Sequence, residues 1–410
     1  MKLVVAGAGY VGLATAIGLA QEGHEVDLVD VDPRRASAVR EGRLPFQEAS
    51  LQDALVDVLS RGLAVHEAYP ERFPDADFAF VCVDTNGTGG ALRTEPVESA
   101  ALSLAQACPE TAAIVIRSTV NPGTTDRVTS QLRMKGFCHH VLVNPEFLRE
   151  GSALADFTHP ARVIIGGEES EVCKRLAAAY EFTGAPAIET DTRSAELIKL
   201  ASNATLALRV SLANEIADLA MAAGADVEMV LKGVGADPRI GQDYLKPGIG
   251  FGGNCLPKDL DALRSQPTPT PVFDGAATAN LHATERLVDA VAKALPAGSI
   301  VGVVGVGFKP GTDSTRGSRS IDLIRCLLER GYLVAVCDPL AEVNARDALD
   351  DAVAYASTPL TLADSCDGVI LAHPLTGAEI SGVAELTQYV WDDIGRVRES
   401  TGRLLQVETS

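Results

Sequence analysis

The sequence predicts an α/β protein in which two doubly wound domains are joined by a long central helix. Short β-branched runs alternate with amphipathic stretches through the first half of the chain. A helical pattern without a break follows, and strand–helix alternation then returns. Such alternation is typical of mostly parallel sheets covered by helices on both faces.

The first domain is predicted from strand patterns that are separated by amphipathic stretches. The stretches at residues 15–22 and 122–133 predict helices that cover the sheet. The strand patterns lie at residues 2–6, 25–30, 78–83, 113–116, 140–143 and 162–165.

The central part is predicted from residues 194–223, which contain neither proline nor glycine. They predict one helix of about 30 residues, which is long for a globular protein and suits a domain connector or an oligomer core. A glycine-rich loop at 233–254, a proline-rich piece at 266–271 and a helix at 274–294 follow.

The C-terminal part repeats the organisation of the first. Residues 299–304, 318–330 and 332–338 predict a strand, a helix and a strand. The spacing Gly302-x-x-Gly305-x-Gly307 also resembles the glycine spacing near the start of the chain. Both ends are therefore predicted to be Rossmann-like, and the predicted domains are residues 1–193, 194–296 and 297–410.

Composition restricts the classes of partner. The chain has 55 acidic and 35 basic residues, a formal net charge of −20, so it is a poor general ligand for nucleic acid or anionic membranes. Any bound anion needs a local cluster of cations. No uncharged apolar run reaches the ~18–20 residues that a membrane span requires.

Cysteine usage predicts a reducing, cytoplasmic location. The eight cysteines form no CxxC pair, and several lie inside apolar runs, so they are predicted to be buried thiols rather than disulfides. The N-terminus enters a strand pattern at once, without the layout of a signal peptide.

A glycine-rich turn, Gly7-Ala8-Gly9-Tyr10-Val11-Gly12, follows the first predicted strand and opens a helix. This context is typical of a turn that holds a dinucleotide pyrophosphate at a helix N-terminus. Asp30 ends the next strand, where a carboxylate holds ribose hydroxyls and repels a 2′-phosphate, which favours NAD over NADP. Arg34 and Arg35 are either solvated surface charges or cations near the ribose, and in the second case NADP is not excluded. The alternative is a turn that binds no ligand.

Cys255 is the candidate nucleophile. It lies in the segment Phe-Gly-Gly-Asn-Cys-Leu-Pro-Lys-Asp at residues 251–259, just before a helix that Pro257 initiates. A helix N-terminus and a nearby lysine, Lys258, favour the thiolate form, which is the reactive one. The alternative is a packed thiol, and the other seven cysteines are predicted to be packed.

Further polar residues are candidates for acid–base work. Lys199 and Asn203 share one face of the long helix, unless that face is simply solvated. Glu146 and Glu150 follow a predicted strand, and Thr119 follows another. Carboxyl ends of parallel strands line the ligand crevice, although these residues could also be ordinary loop charges.

The chain resembles the UDP-glucose/GDP-mannose dehydrogenase family, whose members are NAD-dependent four-electron oxidoreductases. The resemblance covers nearly the whole chain, and the motifs keep the family's order. They are Gly7–Gly12, Arg117-Ser118-Thr119-Val120, residues 144–150, Lys199 with Asn203, Asp237-Pro238-Arg239-Ile240-Gly241, residues 251–259 and Phe308-Lys309-Pro310-Gly311-Thr312-Asp313.

The resemblance implies a mechanism. The C6 hydroxyl of a nucleotide sugar is oxidised to an aldehyde, Cys255 traps the aldehyde as a thiohemiacetal, a second NAD oxidises this to a thioester, and water releases the uronic acid. Lys199 would stabilise oxyanions and Asn203 would orient the same oxygen. Asp259 and Thr119 would position water or move protons, and Glu146 would be the base for hydrolysis.

The resemblance also implies binding residues and domain roles. Residues 1–193 would bind NAD, residues 194–296 would form a dimerisation domain with the cysteine loop, and residues 297–410 would bind the nucleotide sugar. The implied NAD contacts are Gly7, Gly9, Tyr10, Val11, Gly12, Asp30, Arg35, Thr85, Thr119, Glu150 and Arg316. The implied substrate contacts are Glu146, Phe147, Leu148, Arg149, Lys199, Asn203, Arg239, Tyr244, Gly252 and Lys309.

The implied substrate is UDP-glucose, but other choices stay open. The same chemistry could act on GDP-mannose, a UDP-N-acetylhexosamine or a dTDP-sugar. The chain departs from the family at Asp84-Thr85-Asn86, at Gly317, where a glutamate is usual, and near His373, where it lacks the arginine that some members use on the substrate. A two-electron hydroxyacid dehydrogenase would need no Cys255, and an NAD-sensing protein would not need Lys199, Asn203 and Cys255 together.

A homodimer or larger symmetric assembly is predicted around the long helix, with Arg239 reaching the neighbouring subunit. The prediction rests on apolar residues that approximate one stripe at helical spacing. They are Leu197, Leu200, Leu206, Val210, Ala213 and Ala217.

Overall fold

The computed structural model describes residues 1–87 and 91–398. The chain forms two compact units, Met1–Ser202 and a second that begins at Asn203, so that the division falls inside one long helix. The last twelve residues of the predicted third domain lie outside the described residues. The division into three domains stays a prediction.

The first unit is built on strands that alternate with helices. Its strands are β1 Lys2–Ala6, β2 Glu25–Val29, β3 Ala64–His66, β4 Phe78–Val81, β5 Ala113–Ile116, β6 Val141–Val143, β7 Val163–Gly166 and β8 Ala187–Thr190. Its helices are α1 Tyr10–Gln21, α2 Pro33–Arg40, α3 Ala49–Ser60, α4 Glu95–Ala107, α5 Thr124–Met134, α6 Ala153–Thr158, α7 Ser170–Ala178 and α8 Thr192–Ala222, the last of which continues into the second unit.

These strands form one doubly wound sheet. Within the described residues the order is β3-β2-β1-β4-β5-β6-β7-β8, and the pairs are parallel except for a single antiparallel bridge between β6 and β7. The order reverses between β1 and β4, and ligands of such sheets bind beyond the carboxyl ends of the strands at this point. The loops after β1, β4, β5 and β6 are therefore placed for binding.

Alternating side chains of β1 show why this sheet is covered on both faces. Leu3 and Val5 pack in one apolar cluster, whereas Val4 and Ala6 pack in another. Successive side chains of a strand point to opposite faces, so an apolar residue at every position requires helices on both.

The second unit contains another doubly wound sheet. Its strands are β9 Ile300–Val304, β10 Leu333–Cys337, β11 Ala354–Tyr355, β12 Gly368–Leu371, β13 Tyr389–Trp391 and β14 Val397–Arg398. Its helices are α9 Val227–Gly235, α10 Leu256–Arg264, α11 Pro271–Ala294, α12 Arg319–Glu329, α13 Glu342–Leu349, α14 Pro359–Ala363 and α15 Gly377–Leu386. Among described residues the order is β11-β10-β9-β12-β13-β14, which repeats the pattern of the first six strands of the other sheet.

The predicted fold class is confirmed: both sheets are Rossmann-like, and α8 is one continuous helix of 31 residues. The strand patterns identified β1, β2, β4, β5, β6, β7, β9 and β10, but missed β12, which is central and fully buried. The sequence did not predict β3, β8, β11, β12, β13 or β14. Four of these are edge or outer strands, and β8 is mostly exposed, so it lacks the apolar pattern that marks a buried strand.

The apolar stripe predicted on α8 is not one continuous surface. Leu200, Ala213 and Ala217 are fully buried, and the two alanines pack against residues of α9. Leu197 is instead 45% exposed. Part of the predicted stripe is therefore covered by α9 within the second unit, and the assembly around α8 stays a prediction.

The prediction that the other seven cysteines are packed holds for most of them. Cys82, Cys108, Cys173, Cys337 and Cys366 are buried, and Cys326 is partly buried. Burial raises the pKa of the Cys82 thiol to about 12, so it stays protonated. Cys138 is exposed, so the packing interpretation is wrong for it. The cytoplasmic location stays a prediction.

No helix among the described residues combines the length and the apolar character needed to cross a membrane.

Candidate active site

Packing within the protein is enough to require glycine at two positions of the turn between β1 and α1. A Cβ atom on Gly7, whose φ is +105°, would lie 2.5 Å from the carbonyl oxygen of Cys82. A Cβ atom on Gly12 would lie 1.7 Å from the carbonyl oxygen of Gly7. A Cβ atom on Gly9 would meet no protein atom within 4 Å. Gly7 and Gly12 thus allow strand and helix to pack together, and Gly9 leaves room in front of the helix, as a bound pyrophosphate requires.

Asp30 follows β2 and faces this turn. The side chain is 5% exposed, and its carboxylate accepts hydrogen bonds from Ala8 N at 2.7 Å and Arg35 Nη1 at 3.1 Å. Arg34 points elsewhere, with a side chain that is 92% exposed and paired with Asp32. Arg34 is therefore a surface charge, whereas Arg35 belongs to the turn.

Tyr10, at the start of α1, is tied to the loop after β6. Its hydroxyl lies 3.0 Å from Glu48 Oε2 and 2.8 Å from the carbonyl oxygen of Arg149. Glu48 is buried and also accepts from Gly151 N at 2.6 Å. Burial, with the charge of Glu48, raises the pKa of Tyr10 far above its usual value, so the hydroxyl keeps its proton. No sequence pattern indicated Glu48, because its partners are distant along the chain.

The loops after β4 and β5 are joined at Thr85 and Thr119. Thr85 is buried and its hydroxyl donates to the carbonyl oxygen of Thr119 at 2.8 Å, while the Ser118 hydroxyl donates to Val83 at 2.7 Å. The neighbouring Asp84 accepts from Asn86 N at 3.1 Å. Residues 84–86, where the chain departs from the family pattern, therefore form an ordered turn beside Thr119.

Arg117, which directly follows β5, is a buried cation. It belongs to one of the motifs that resemble the family, but no role was predicted for it. It donates to Asn144 Oδ1 at 2.6 Å and to Thr15 Oγ1 at 2.7 Å. The Tyr180 hydroxyl donates to the same Asn144 oxygen at 2.7 Å. This network fixes the beginning of the loop that carries Glu146. A charged residue directly after an apolar strand was the signal for it.

Glu146 and Lys199 form a buried ion pair. Their side chains are 6% and 5% exposed, and Lys199 Nζ lies 2.8 Å from Glu146 Oε1. The other carboxylate oxygen accepts from Leu148 N at 2.6 Å. Burial by itself raises the pKa of Glu146, but the Lys199 charge and the two hydrogen bonds outweigh it and hold the pKa below its usual value. The alternative of a solvated helix face is wrong for Lys199.

Phe147 lies against two cations. The guanidinium of Arg162 is 4.2 Å from the ring centroid, and Lys199 Nζ is 5.3 Å from it. Arg149 pairs with Asp156 through Nε at 3.0 Å and Nη2 at 2.6 Å. These contacts order the backbone of residues 146–149.

In the second unit, Asn203, Asp259 and Lys258 form a second buried polar group. Asn203 Nδ2 donates to Asp259 Oδ2 at 2.6 Å, and Lys258 Nζ donates to Oδ1 at 2.6 Å. Asp259 is fully buried and Asn203 is 8% exposed. The solvated-face alternative is therefore wrong for Asn203 as well.

Cys255 stands at the N-cap position of α10 and is exposed. The backbone N–H of Asp259 donates to the Cys255 carbonyl at 2.9 Å, which is the first turn of that helix. Pro257 lies in this turn, as the sequence predicted. An exposed thiol is thus placed one helical turn from a buried carboxylate.

The loop before Cys255 is held by side chains of α11. Asn280 accepts from Phe251 N at 2.6 Å and donates to the Phe251 carbonyl at 3.0 Å, and Thr284 donates to Ile249 at 3.1 Å. Tyr244, nearer the start of the loop, is exposed with a φ of +59°.

Arg209 of α8 holds the turn that carries Arg239. It donates to the carbonyl oxygens of Ile240 at 2.9 Å, Gly241 at 2.8 Å and Asp243 at 2.7 Å. The side chain of Arg239 itself is 88% exposed and pairs with Asp237 at 2.6 Å. The sequence did not single out Arg209, because its partners are backbone groups.

The glycine turn after β9 repeats the arrangement seen at Asp30. Asp338, at the end of β10, accepts from Val306 N at 2.8 Å and Gly307 N at 3.0 Å. Lys309 Nζ lies 5.6 Å from the centroid of the Phe308 ring, and Arg316 is exposed.

The structure therefore groups the expected site residues in two sets, one in each unit. Glu146, Phe147, Leu148 and Lys199 are in contact in the first unit, and Asn203, Asp259 and Cys255 are close in the second. Arg239 and Lys309 have their described contacts elsewhere in the second unit. Among the described residues, no group of His, Cys, Asp and Glu is arranged to hold a metal ion.

Comparison with known proteins covers the same segments. Residues 1–183, 193–280 and 302–380 match the NAD binding domain, the central domain and the UDP binding domain of the UDP-glucose/GDP-mannose dehydrogenase family. The chain belongs to this family. It is thus an NAD-dependent nucleotide-sugar dehydrogenase, as the resemblance implied.

Relatives of this dehydrogenase are similar along most of their length. A UDP-glucose 6-dehydrogenase of Rickettsia felis is 34% identical over 85% of this chain and 81% of its own. A solved UDP-glucose dehydrogenase of Pyrobaculum islandicum is 36% identical, with a TM-score of 0.89 over 98% of this chain and 95% of its own. A UDP-D-ManNAc dehydrogenase of Pyrococcus horikoshii is 25% identical, with a TM-score of 0.84 over 96% and 95%.

We expect Gly9→Ala and Gly12→Ala to separate NAD binding from folding. Alanine fits the backbone of Gly9, whose φ is −79°, so this variant keeps the wild-type unfolding midpoint but binds NAD about tenfold or more weakly, because the methyl group meets the pyrophosphate. Gly12→Ala lowers the unfolding midpoint because its Cβ meets the Gly7 carbonyl. Circular dichroism and calorimetric NAD titration check both. Normal NAD affinity in Gly9→Ala would show that the cofactor does not pass this residue.

Proposed function

We propose that this dehydrogenase is a UDP-glucose 6-dehydrogenase that oxidises the C6 hydroxyl of UDP-glucose to the carboxylate of UDP-glucuronate through a thioester on Cys255. The observation that supports it most directly is the exposed Cys255 thiol at a helix N-terminus, one turn before the buried Asp259. Two-electron oxidation of an alcohol needs no such nucleophile.

Cys255 is proposed to carry the substrate between the two oxidations. After the first, its sulfur forms a bond to the C6 aldehyde carbon, and the carbonyl oxygen takes up a proton. The second oxidation removes a hydride from C6 and the proton from the hydroxyl oxygen, and gives a thioester. Water then attacks the same carbon, the C–S bond breaks, and the thiol is regenerated with the product carboxylate. NAD, when bound, supplies the two-electron acceptor for each oxidation.

Lys199 and Asn203 are proposed to stabilise charge on the C6 oxygen. An ammonium group and an amide donor held in buried positions need little reorganisation when an oxyanion develops. Glu146, which is kept ionised by Lys199, is proposed as the base that takes a proton from the hydrolytic water. Asp259 and Thr119 would position that water or move protons.

The NAD contacts are proposed to come from the glycine turn and the loops near it. The pyrophosphate would lie before Gly9, and Asp30 with Arg35 would face the adenosine ribose. The Asp30 carboxylate accepts hydrogen bonds from Ala8 N and Arg35, and a carboxylate at this position disfavours a 2′-phosphate. The remaining proposed contacts are Gly7, Tyr10, Val11, Gly12, Thr85, Thr119, Glu150 and Arg316.

A diphosphate substrate requires cations in a protein with a net charge of −20. Lys309 and Arg149 are proposed to supply them, and Arg239, whose side chain is 88% exposed, is proposed to reach the substrate of a neighbouring subunit. Exposed leucines on α8 support such an assembly, because Leu212 and Leu219 are 45% and 67% exposed. The other proposed substrate contacts are Phe147, Leu148, Tyr244 and Gly252.

We expect Cys255→Ser to stop or greatly slow the four-electron reaction while NAD affinity stays near normal. A serine hydroxyl has no accessible anion at neutral pH, and an ester hydrolyses more slowly than a thioester, so a covalent sugar adduct is expected to accumulate. Steady-state turnover, NAD titration and intact mass after incubation with substrate measure this. Release of two NADH per sugar at the wild-type rate by Cys255→Ser would make Cys255 a packed thiol only.

The choice of UDP-glucose is supported by the relatives named for that sugar, which are 34% and 36% identical, against 25% for the UDP-D-ManNAc dehydrogenase. We expect the highest kcat/KM with UDP-glucose and two NADH formed per sugar consumed. The measurement is NADH formation with UDP-glucose, GDP-mannose, UDP-N-acetylhexosamines and dTDP-glucose. A higher kcat/KM with another member of this panel would contradict the choice of UDP-glucose as substrate. Formation of one NADH per sugar would contradict the four-electron mechanism.

A further inference from the structure

Two glycines hold separate loops of the second unit in backbone contact. Gly253 lies two residues before Cys255, and Gly317 lies just before α12. The N–H of Gly253 donates to the carbonyl oxygen of Gly317 at 3.0 Å. Both residues have left-handed backbones, with φ of +81° and +60°.

A side chain fits on neither side of this contact. A Cβ atom on Gly317 would lie 2.5 Å from the Gly253 carbonyl oxygen and 3.1 Å from its carbonyl carbon. A Cβ atom on Gly252 would lie 2.3 Å from the Gly317 carbonyl oxygen. All of these neighbours are backbone atoms, which cannot move aside as the end of a side chain can. The two loops therefore pack this closely only with glycine at these positions.

The loop of Gly317 is itself firmly placed. The hydroxyl of Ser318 donates to the Val306 carbonyl at 2.7 Å, next to the glycine turn after β9. Arg319 donates to the Asn280 carbonyl at 3.1 Å, and the Asn280 side chain exchanges two hydrogen bonds with Phe251. Residues 251–253 are thus held from α11 on one side and from Gly317 on the other.

We propose that Gly317 is a positioning residue that sets the place of the Cys255 thiol through its contact with Gly253. The proposal rests on the proposed role of Cys255 as nucleophile. A side chain at position 317 would put its Cβ against the Gly253 carbonyl, so the cysteine loop as it is placed here requires glycine there.

Gly317→Ala tests the proposal against Gly298→Ala. Gly298 is in the same unit and also left-handed, with φ of +91°, but a Cβ atom there meets nothing within 4 Å. Both variants thus carry the same kind of backbone strain, and Gly317→Ala alone disturbs the cysteine loop. We expect Gly317→Ala to lower kcat about 10- to 100-fold, as displacement of a reacting group does, with KM for NAD and sugar changed less than about twofold.

The reactivity of the thiol supplies a readout that does not depend on turnover. We expect iodoacetamide to alkylate Cys255 at a changed rate in Gly317→Ala and at the wild-type rate in Gly298→Ala, with the exposed Cys138 as reference in the same sample. Equal kcat and equal Cys255 alkylation in the two variants would overturn the proposal. Full turnover in Cys255→Ser would instead contradict the proposed function. The Cys255 alkylation rates of the two glycine variants would still report the position of the loop.

Amide hydrogen exchange on the wild-type enzyme keeps the test independent of variant folding. We expect the Gly253 amide to be protected because it donates to Gly317. Exchange of this amide at the rate of an unprotected glycine would show that the contact is absent, which overturns the proposal even if Gly317→Ala does not fold.

Discussion

A carboxylate can be buried in a protein only where a cation or several donors meet it, and this constraint governs one buried polar group in each unit. Glu146 is matched by Lys199 in the first unit, and Asp259 by Lys258 and Asn203 in the second. Removal of one partner would leave an uncompensated buried charge, which costs about 3–5 kcal/mol. The residues proposed for catalysis are therefore also the residues whose polar groups must be satisfied for each unit to pack.

Helix α8 is the element on which these groups depend. Besides Lys199 and Asn203, it carries Glu196, which is 2% exposed and accepts hydrogen bonds from Gly123 N at 2.6 Å and Thr125 N at 2.8 Å. These N–H groups belong to the first turn of α5, which has no partner for them in its own helix. The helix thus binds the loop after β5 as well as the loop after β6, which explains why its N-terminal part is polar on a buried side.

Sequence patterns predicted the parts of the molecule that follow a local rule. Short apolar, β-branched runs marked most of the buried strands, and the absence of proline and glycine marked α8. They could not predict contacts that depend on backbone groups far along the chain, such as those of Arg209 with residues 240–243 or Glu48 with Gly151. Gly317 was visible only as a departure from a motif, and no local pattern encodes its close approach to Gly253.

The ionisation of Glu146 tests most directly whether a paired, buried carboxylate organises this site. Its pKa is held below the usual 4.5, so the ionised form stabilises the first unit above that pH and the stabilisation is lost as the pH falls through the lowered pKa. Infrared difference spectra of wild type minus Glu146→Gln, recorded across pH, isolate this carboxyl. The account predicts a carboxylate band that persists below pH 4.5 and, in Lys199→Met, a protonated carboxyl at higher pH, because burial is then opposed only by the Leu148 hydrogen bond and the Arg117 charge. A protonated Glu146 at neutral pH in the wild-type enzyme would contradict it.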